Sequence, residues 1–136
     1  MSQVKGIILA GGNGTRLSPM TDVISKQLLP VYDKPMILYP LTVLIQSGIK
    51  HIAIITKPSE RHLFEKLLGD GRQYDVKIDY LDQEEPRGIA EAFLIAEKWL
   101  NNSRVLLILG DNLFFGLGLR QIIKTVIMKQ QGATVF

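Results

Sequence analysis

The chain has 136 residues, of which 46% are apolar and 21% charged, with a net charge of +3 and no cysteine. That is one domain's length of chain, apolar enough to build a core and outside the composition of disordered segments. The missing cysteines exclude disulfides, thiolate metal sites and a thiol nucleophile, and the small, scattered positive excess suits a small anionic ligand without arguing for nucleic acid.

The first apolar run, residues 4–10, has the length and Ile/Val content of a buried strand and is too short for the core of a signal peptide. The longest apolar segment, residues 36–45, is interrupted by Pro40 and falls far short of a membrane span. A cytoplasmic protein with no membrane partner is expected. Residues 36–47 read as a helix closed by Gly48, and residues 51–56 as a second strand. Pro58 opens a second helix, with Leu63, Phe64, Leu67 and Leu68 on one face before Gly69. A third strand follows over residues 76–81, then a helix striped by Ile89, Phe93, Ala96 and Leu100. The fourth strand spans residues 105–109, and Leu119, Ile122, Ile123, Val126 and Ile127 stripe a fourth helix. Alternating strands and helices predict an α/β fold, a three-layer α/β/α sandwich on a Rossmann-like, mostly parallel sheet. Residues 133–136 look like the start of a fifth strand, so the chain reads as the first part of something longer.

The chemistry concentrates where the first strand ends. Gly11, Gly12 and Gly14 follow it directly, at the sheet edge where open α/β folds bind ligands. Glycines bring backbone N–H groups against phosphate oxygens, and Arg16 adds a permanent forked cation. A tight strand-to-helix turn is the plainer alternative. The dinucleotide fingerprint would need a glycine at position 17, which is Leu17, and the P-loop would need Gly-Lys-Ser/Thr, which does not follow. Leu17 therefore disfavours an NAD-dependent oxidoreductase. Lys26 stands between Ser25 and the apolar Leu28-Leu29-Pro30, a place that favours a ligand over a solvated lysine. Asp111 follows the fourth strand through Gly110, on the same edge as the glycine loop; it is a hard oxygen ligand suited to Mg²⁺, or a cap residue of the next turn.

The motif Leu9-Ala10-Gly11-Gly12-x-Gly14-Thr15-Arg16-Leu17-x-Pro19-x-Thr21, followed by Lys26-Gln27-Leu28-Leu29-Pro30-Val31, resembles the signature of the sugar-phosphate nucleotidyltransferases. The words YDKPMILYPL (32–41), LLGDG (67–71) and LGDNLFFG (109–116) are similar to the bacterial branch that transfers thymidylyl groups to glucose 1-phosphate. The resemblance runs along essentially the whole chain. It implies dTTP and glucose 1-phosphate as substrates, dTDP-glucose and pyrophosphate as products, Mg²⁺ as cofactor and a homo-oligomer, in that family a tetramer. It also implies a nucleotide site of Leu9, Gly11, Gly12, Gly14, Thr15, Arg16, Lys26, Gln27, Gln83, Gly88 and Asp111. Within it Arg16 and Lys26 are catalytic through their charge, Asp111 holds the metal, and Gln83 with Gly88 reads the pyrimidine edge. Residues 1–136 would then be the nucleotide-binding part of a longer transferase domain. Arg87 departs from the acidic residue usual before that glycine. A related uridylyltransferase, or a fragment that binds nucleotide without turning it over, are the alternatives. His51 and His62 lack partners at metal spacing, Asp79, Asp82, Glu84 and Glu85 read as solvated, and Trp99 as packing on the helix–sheet core.

Overall fold

The computed structural model describes residues 3–129 and 132–135. Strand β1 (Val4–Leu9) leads through a long loop into a two-residue hairpin, β2 (Pro30–Val31) and β3 (Lys34–Pro35), and then helix α1 (Leu38–Gln46). There follow β4 (His51–Thr56), α2 (Arg61–Leu68), β5 (Lys77–Asp82), α3 (Glu91–Leu100), β6 (Arg104–Leu109) and α4 (Leu119–Met128). The four long strands form one parallel sheet in the order β5-β4-β1-β6. Leu9 pairs with both Ile55 and Leu109, so the carboxyl ends of β4, β1 and β6 finish level.

That order explains the layers. The chain steps outward from β1 to β4 to β5, then crosses back over β1 to place β6 on its other side. Right-handed crossovers in opposite directions put their helices on opposite faces. On one face Leu41 and Leu44 of α1 and Phe64 and Leu68 of α2 pack on Ile8, Ile52, Ile54 and Ile108. On the other, Ala92 and Ala96 of α3 pack on Ile7, Ala53 and Ile55, the alternate residues of the same strands. The reversal also creates a crevice between the carboxyl ends of β1 and β6, the position where such sheets take ligands.

Several expectations shift. The third helix starts at Glu91, which leaves Ile89 before it at 51% exposure and Phe93 at 41%. Its inner face is made by Ala92 and Ala96, flanked by Ile95 and Trp99, because a helix lying close on the crowded centre of the sheet needs small side chains there. In α4 Ile123 is the buried residue and Ile122 faces outward. Pro58 sits in the turn ahead of α2 rather than at its first position. Residues 133–135 form no strand, and Phe136 lies outside the described residues. The β2–β3 hairpin was not anticipated.

Asp79 is half-buried and paired rather than freely solvated. Its Oδ2 accepts from Trp99 Nε1 at 2.8 Å and lies 2.6 Å from His51 Nε2, with Lys77 Nζ at 3.5 Å. Burial works against its charge, but the Trp99 and His51 hydrogen bonds and the Lys77 charge outweigh it, holding the carboxyl below its ordinary value. Buried Lys5 closes this amino-terminal edge by donating to the Trp99 carbonyl at 2.6 Å. His62 is exposed on α2, as expected.

Candidate functional site

The end of β1 is held flat by the Ala10 N–H, which donates to the Ile55 carbonyl. The chain then turns through the glycines. Gly14 has φ +60°, a left-handed conformation in which a side chain is strained, and a Cβ there would crowd Thr21 Cγ2 at 3.0 Å and Lys26 Cβ at 3.2 Å. Thr21 fastens the loop by donating its hydroxyl to the Gly14 carbonyl at 2.6 Å. The glycine therefore lets the loop fold down onto the segment that carries Lys26.

Lys26 opens a short 3-10 turn, Lys26–Leu28, and its Nζ reaches Asp111 Oδ2 at 2.5 Å across 85 residues of sequence. The partner arrives on the other side of the crevice, just beyond β6. Gly110 is needed for that approach, because a Cβ on it would meet Gln27 Cγ at 2.9 Å and the Leu9 carbonyl at 3.2 Å. The two side chains are 25% and 34% exposed. A pair so open to water contributes about 0–1 kcal/mol, so either member can exchange its partner for a ligand cheaply. Around them Leu9, Gly12, Gly14, Gln27 and Leu109 complete a cavity of about 140 Å³. Pockets that enclose whole small molecules run to about 300–1,000 Å³. This one admits a phosphate-sized group, with any larger ligand extending over the open rim.

The arrangement suits an anion. Gly12 leaves open space where a side chain would project, Lys26 supplies charge, and the leucines at the strand ends keep the floor dry. Asp111 suits a hard cation, but alone: among the described residues no group of three or more His, Cys, Asp and Glu converges. Mg²⁺ is usually held by one or two carboxylates and completed by substrate phosphates and water. The donor set thus fits an ion shared with a bound phosphate and does not fit a protein-only cage.

The sequence-predicted residues fall in four places. Leu9, Gly12, Gly14, Lys26, Gln27 and Asp111 meet at the cavity. Thr15 and Arg16 do not line it; they lie exposed on the 3-10 turn Thr15–Leu17, and Arg16 forms no ion pair among the described residues. Gly11 and Gln83 lie against each other beside the loop, where a Cβ on Gly11 would fall 2.4 Å from Gln83 Oε1. Gln83 is 3% exposed, and its Nε2 donates to Glu91 Oε2 at 2.6 Å. Gly88, at φ +105°, belongs to the exposed turn beyond, where Arg87 pairs with Glu85 at 3.1 Å. Sequence reasoning missed Leu109 as a lining residue, Thr21 as the loop's fastener and Glu91 as the partner of Gln83. Thr21 lay inside the glycine motif, and Glu91 carried the signal of an acid in a helix's first turn.

Fold and site together define an α/β protein with a phosphate-sized cavity at the crevice of a parallel sheet. The model of the nucleotidyl transferase family matches residues 5–136, and the chain belongs to that family. It is 53% identical over 133 residues to the glucose-1-phosphate thymidylyltransferase of Neisseria gonorrhoeae, covering 98% of this chain and 46% of that one. The enzyme of the same name from Xanthomonas campestris pv. campestris (strain B100) is 54% identical over 136 residues, covering 100% of this chain and 46% of its own. The chain thus spans about half the length of the curated relatives it matches. Among solved structures, a UDP-glucose pyrophosphorylase complexed with UDP-glucose superimposes with a TM-score of 0.77 at 26% identity, covering 94% of this chain and 54% of that one. A Bacillus anthracis protein assigned to the glucose-1-phosphate thymidylyltransferases, solved with sucrose, gives a TM-score of 0.84 at 39% identity, covering 93% and 51%.

Proposed function

We propose that residues 1–136 form the nucleotide-binding part of an enzyme that transfers a thymidylyl group from dTTP to glucose 1-phosphate, giving dTDP-glucose and pyrophosphate. One observation carries the reading: Lys26 and Asp111, far apart in sequence, meet beside the glycine loop in a phosphate-sized cavity. The identity to thymidylyltransferases supplies the substrates.

In this reaction a phosphate oxygen of the sugar attacks the α-phosphorus of dTTP, and the bond to the β-phosphate breaks. Such a step needs charge stabilisation and in-line placement more than a protein nucleophile. The N–H groups of Gly11, Gly12 and Gly14 and the Thr15 turn cradle the β- and γ-phosphates, with Arg16 closing on them from outside the cavity. Lys26 leaves Asp111 for the α-phosphate, where charge accumulates. Asp111, so released, would hold Mg²⁺, which when bound would neutralise charge on the phosphate oxygens. Leu9 and Gln27 floor the site, and Gln83 with Gly88 faces the base. The reading carries with it a cytoplasmic homo-oligomer, a tetramer by resemblance; among the described residues no helix is long and apolar enough to cross a membrane.

The test is pyrophosphate release with dTTP, glucose 1-phosphate and Mg²⁺ together. Release that needs all three is expected. A second reading rests on Asp111 being, among the described residues, the single carboxylate lining the cavity: nucleotide binds but is not transferred. Calorimetric binding of dTTP with no release supports that reading, and neither binding nor release overturns both.

A further inference from the structure

We infer that Glu91 is a positioning residue that sets the base preference of the site by locking the carboxamide of Gln83 in one of its two orientations. The inference deepens the proposed function and rests on its placement of Gln83 at the base. A glutamine amide can turn its carbonyl or its NH₂ toward a ligand, and the two choices recognise opposite hydrogen-bond patterns. Here the choice is made by a neighbour. A carboxylate only accepts, and Glu91 Oε2 receives Gln83 Nε2 at 2.6 Å and the Arg87 backbone N–H at 3.3 Å. Glu91 is the first residue of α3, where the unpaired N–H groups of a helix start favour a negative charge. The glutamine's own backbone is tied as well, its N–H donating to the Thr56 carbonyl at 2.8 Å.

With Nε2 committed to Glu91, the carbonyl Oε1 is the end presented to the glycine loop, directly against Gly11. Turning the amide over would set Oε1 against the Glu91 carboxylate, acceptor against acceptor, within a side chain that is 3% exposed. The site therefore offers an acceptor. An acceptor matches a pyrimidine whose N3 carries hydrogen, as in thymine and uracil. It opposes cytosine, whose N3 is itself an acceptor. Glu91 thus decides the base without touching it, and it treats thymine and uracil alike.

The experiment compares dUTP with dCTP, which differ at this edge alone, by calorimetry on the wild type, Glu91→Gln and Glu91→Ala, with tripolyphosphate as a base-free probe. The wild type is expected to prefer dUTP by about thirtyfold or more, since a buried polar group left facing its like loses on the order of 2 kcal/mol. Glu91→Gln, whose amide lets Gln83 turn, and Glu91→Ala, which removes the clamp, should bring that ratio within about threefold, with tripolyphosphate affinity held and a cooperative unfolding transition retained at a lower midpoint. A wild-type ratio retained in either folded variant overturns the role of Glu91. A wild type that binds tripolyphosphate but shows no preference between the bases, with Gln83→Ala binding dUTP equally well, overturns the placement of Gln83 itself. Should both variants fail to fold, the wild type decides: Gln83 side-chain NH₂ protons slow to exchange with water support the clamp, and freely exchanging ones refute it.

Discussion

Replacing Gly11 by alanine isolates one contact on which the glycine loop depends. Gly11 lies outside the left-handed region, so its backbone accepts alanine and strain is not at issue; the question is space. The new Cβ would stand 2.4 Å from Gln83 Oε1, while real Cβ contacts do not fall below 3.0 Å, so something must move by about 0.6 Å (the difference of the two). Gln83 cannot retreat: it is buried, its N–H is bound to Thr56 and its amide to Glu91. The relief available is rotation of the side chain and loss of the Glu91 bond, and a hydrogen bond to a charged group contributes about 1.5–3 kcal/mol. Urea unfolding of Gly11→Ala should therefore show about 2 kcal/mol less stability, with dTTP affinity down at least about tenfold by calorimetry. Gly12→Ala is the control, having nothing within 4 Å of its Cβ. Its stability should stay within about 0.5 kcal/mol of the wild type, while the added methyl in the cavity weakens tripolyphosphate binding. Gly11→Ala unfolding and binding like the wild type would refute the reasoning.

Further outcomes follow from single groups. Lys26→Ala should lower the rate of pyrophosphate release by about a hundredfold or more, the effect of removing one preorganised charge near about 3 kcal/mol, with little change in unfolding because its ion pair with Asp111 is open to water. Asp79→Asn should destabilise the protein by about 1–2 kcal/mol at pH 7. Because the folded carboxyl is held below its unfolded value of about 3.9, that stabilisation is present above pH 4 and lost as the pH falls through the folded value, so wild type and variant should converge in urea titrations once the pH is below that folded value. Tyr80 has the opposite sign: burial first, and then nearby carboxylates, push its hydroxyl up to about 12, and it donates to the Gly69 carbonyl at 2.7 Å. Its stabilisation is complete below about pH 10 and fades as the pH rises through the folded value. Ultraviolet titration should find one tyrosine ionising late, and Tyr80→Phe should abolish that step.

Much of this was legible in the sequence. The four strands could be placed within a residue or so because β1, β4 and β6 are short runs rich in Ile, Val and Leu and the edge strand β5 carries Ile78, Tyr80 and Leu81 between polar residues, and the glycine loop because Gly11, Gly12 and Gly14 break such a run abruptly. The level strand ends bring Leu9 and Asp111 to the cavity that Gly14 and Lys26 also line. The misreadings have a common cause. Periodicity shows which residues are apolar but not which are small enough for a close layer, so Ala96 was rightly placed inward but Ile89 and Phe93 were placed with it where Ala92 stands. Charge suggests solvent, yet Asp79 lies beside Trp99 and His51 only because β4, β5 and α3 meet at one edge. The contact of Glu91 with Gln83 is of the same kind, a pairing made by tertiary packing that no local pattern encodes. Arg16 remains outside the cavity lining, where the motif alone had grouped it with the phosphate contacts.

Calorimetric titration of dTTP into the wild type and Asp111→Asn, each with Mg²⁺ and with a chelator, addresses the meeting of Lys26, Asp111 and the glycine loop most directly. The wild type should lose at least about tenfold in affinity when Mg²⁺ is removed, while Asp111→Asn should bind equally with or without the ion. An undiminished response to Mg²⁺ in Asp111→Asn, or no binding of dTTP by the wild type, would contradict the account.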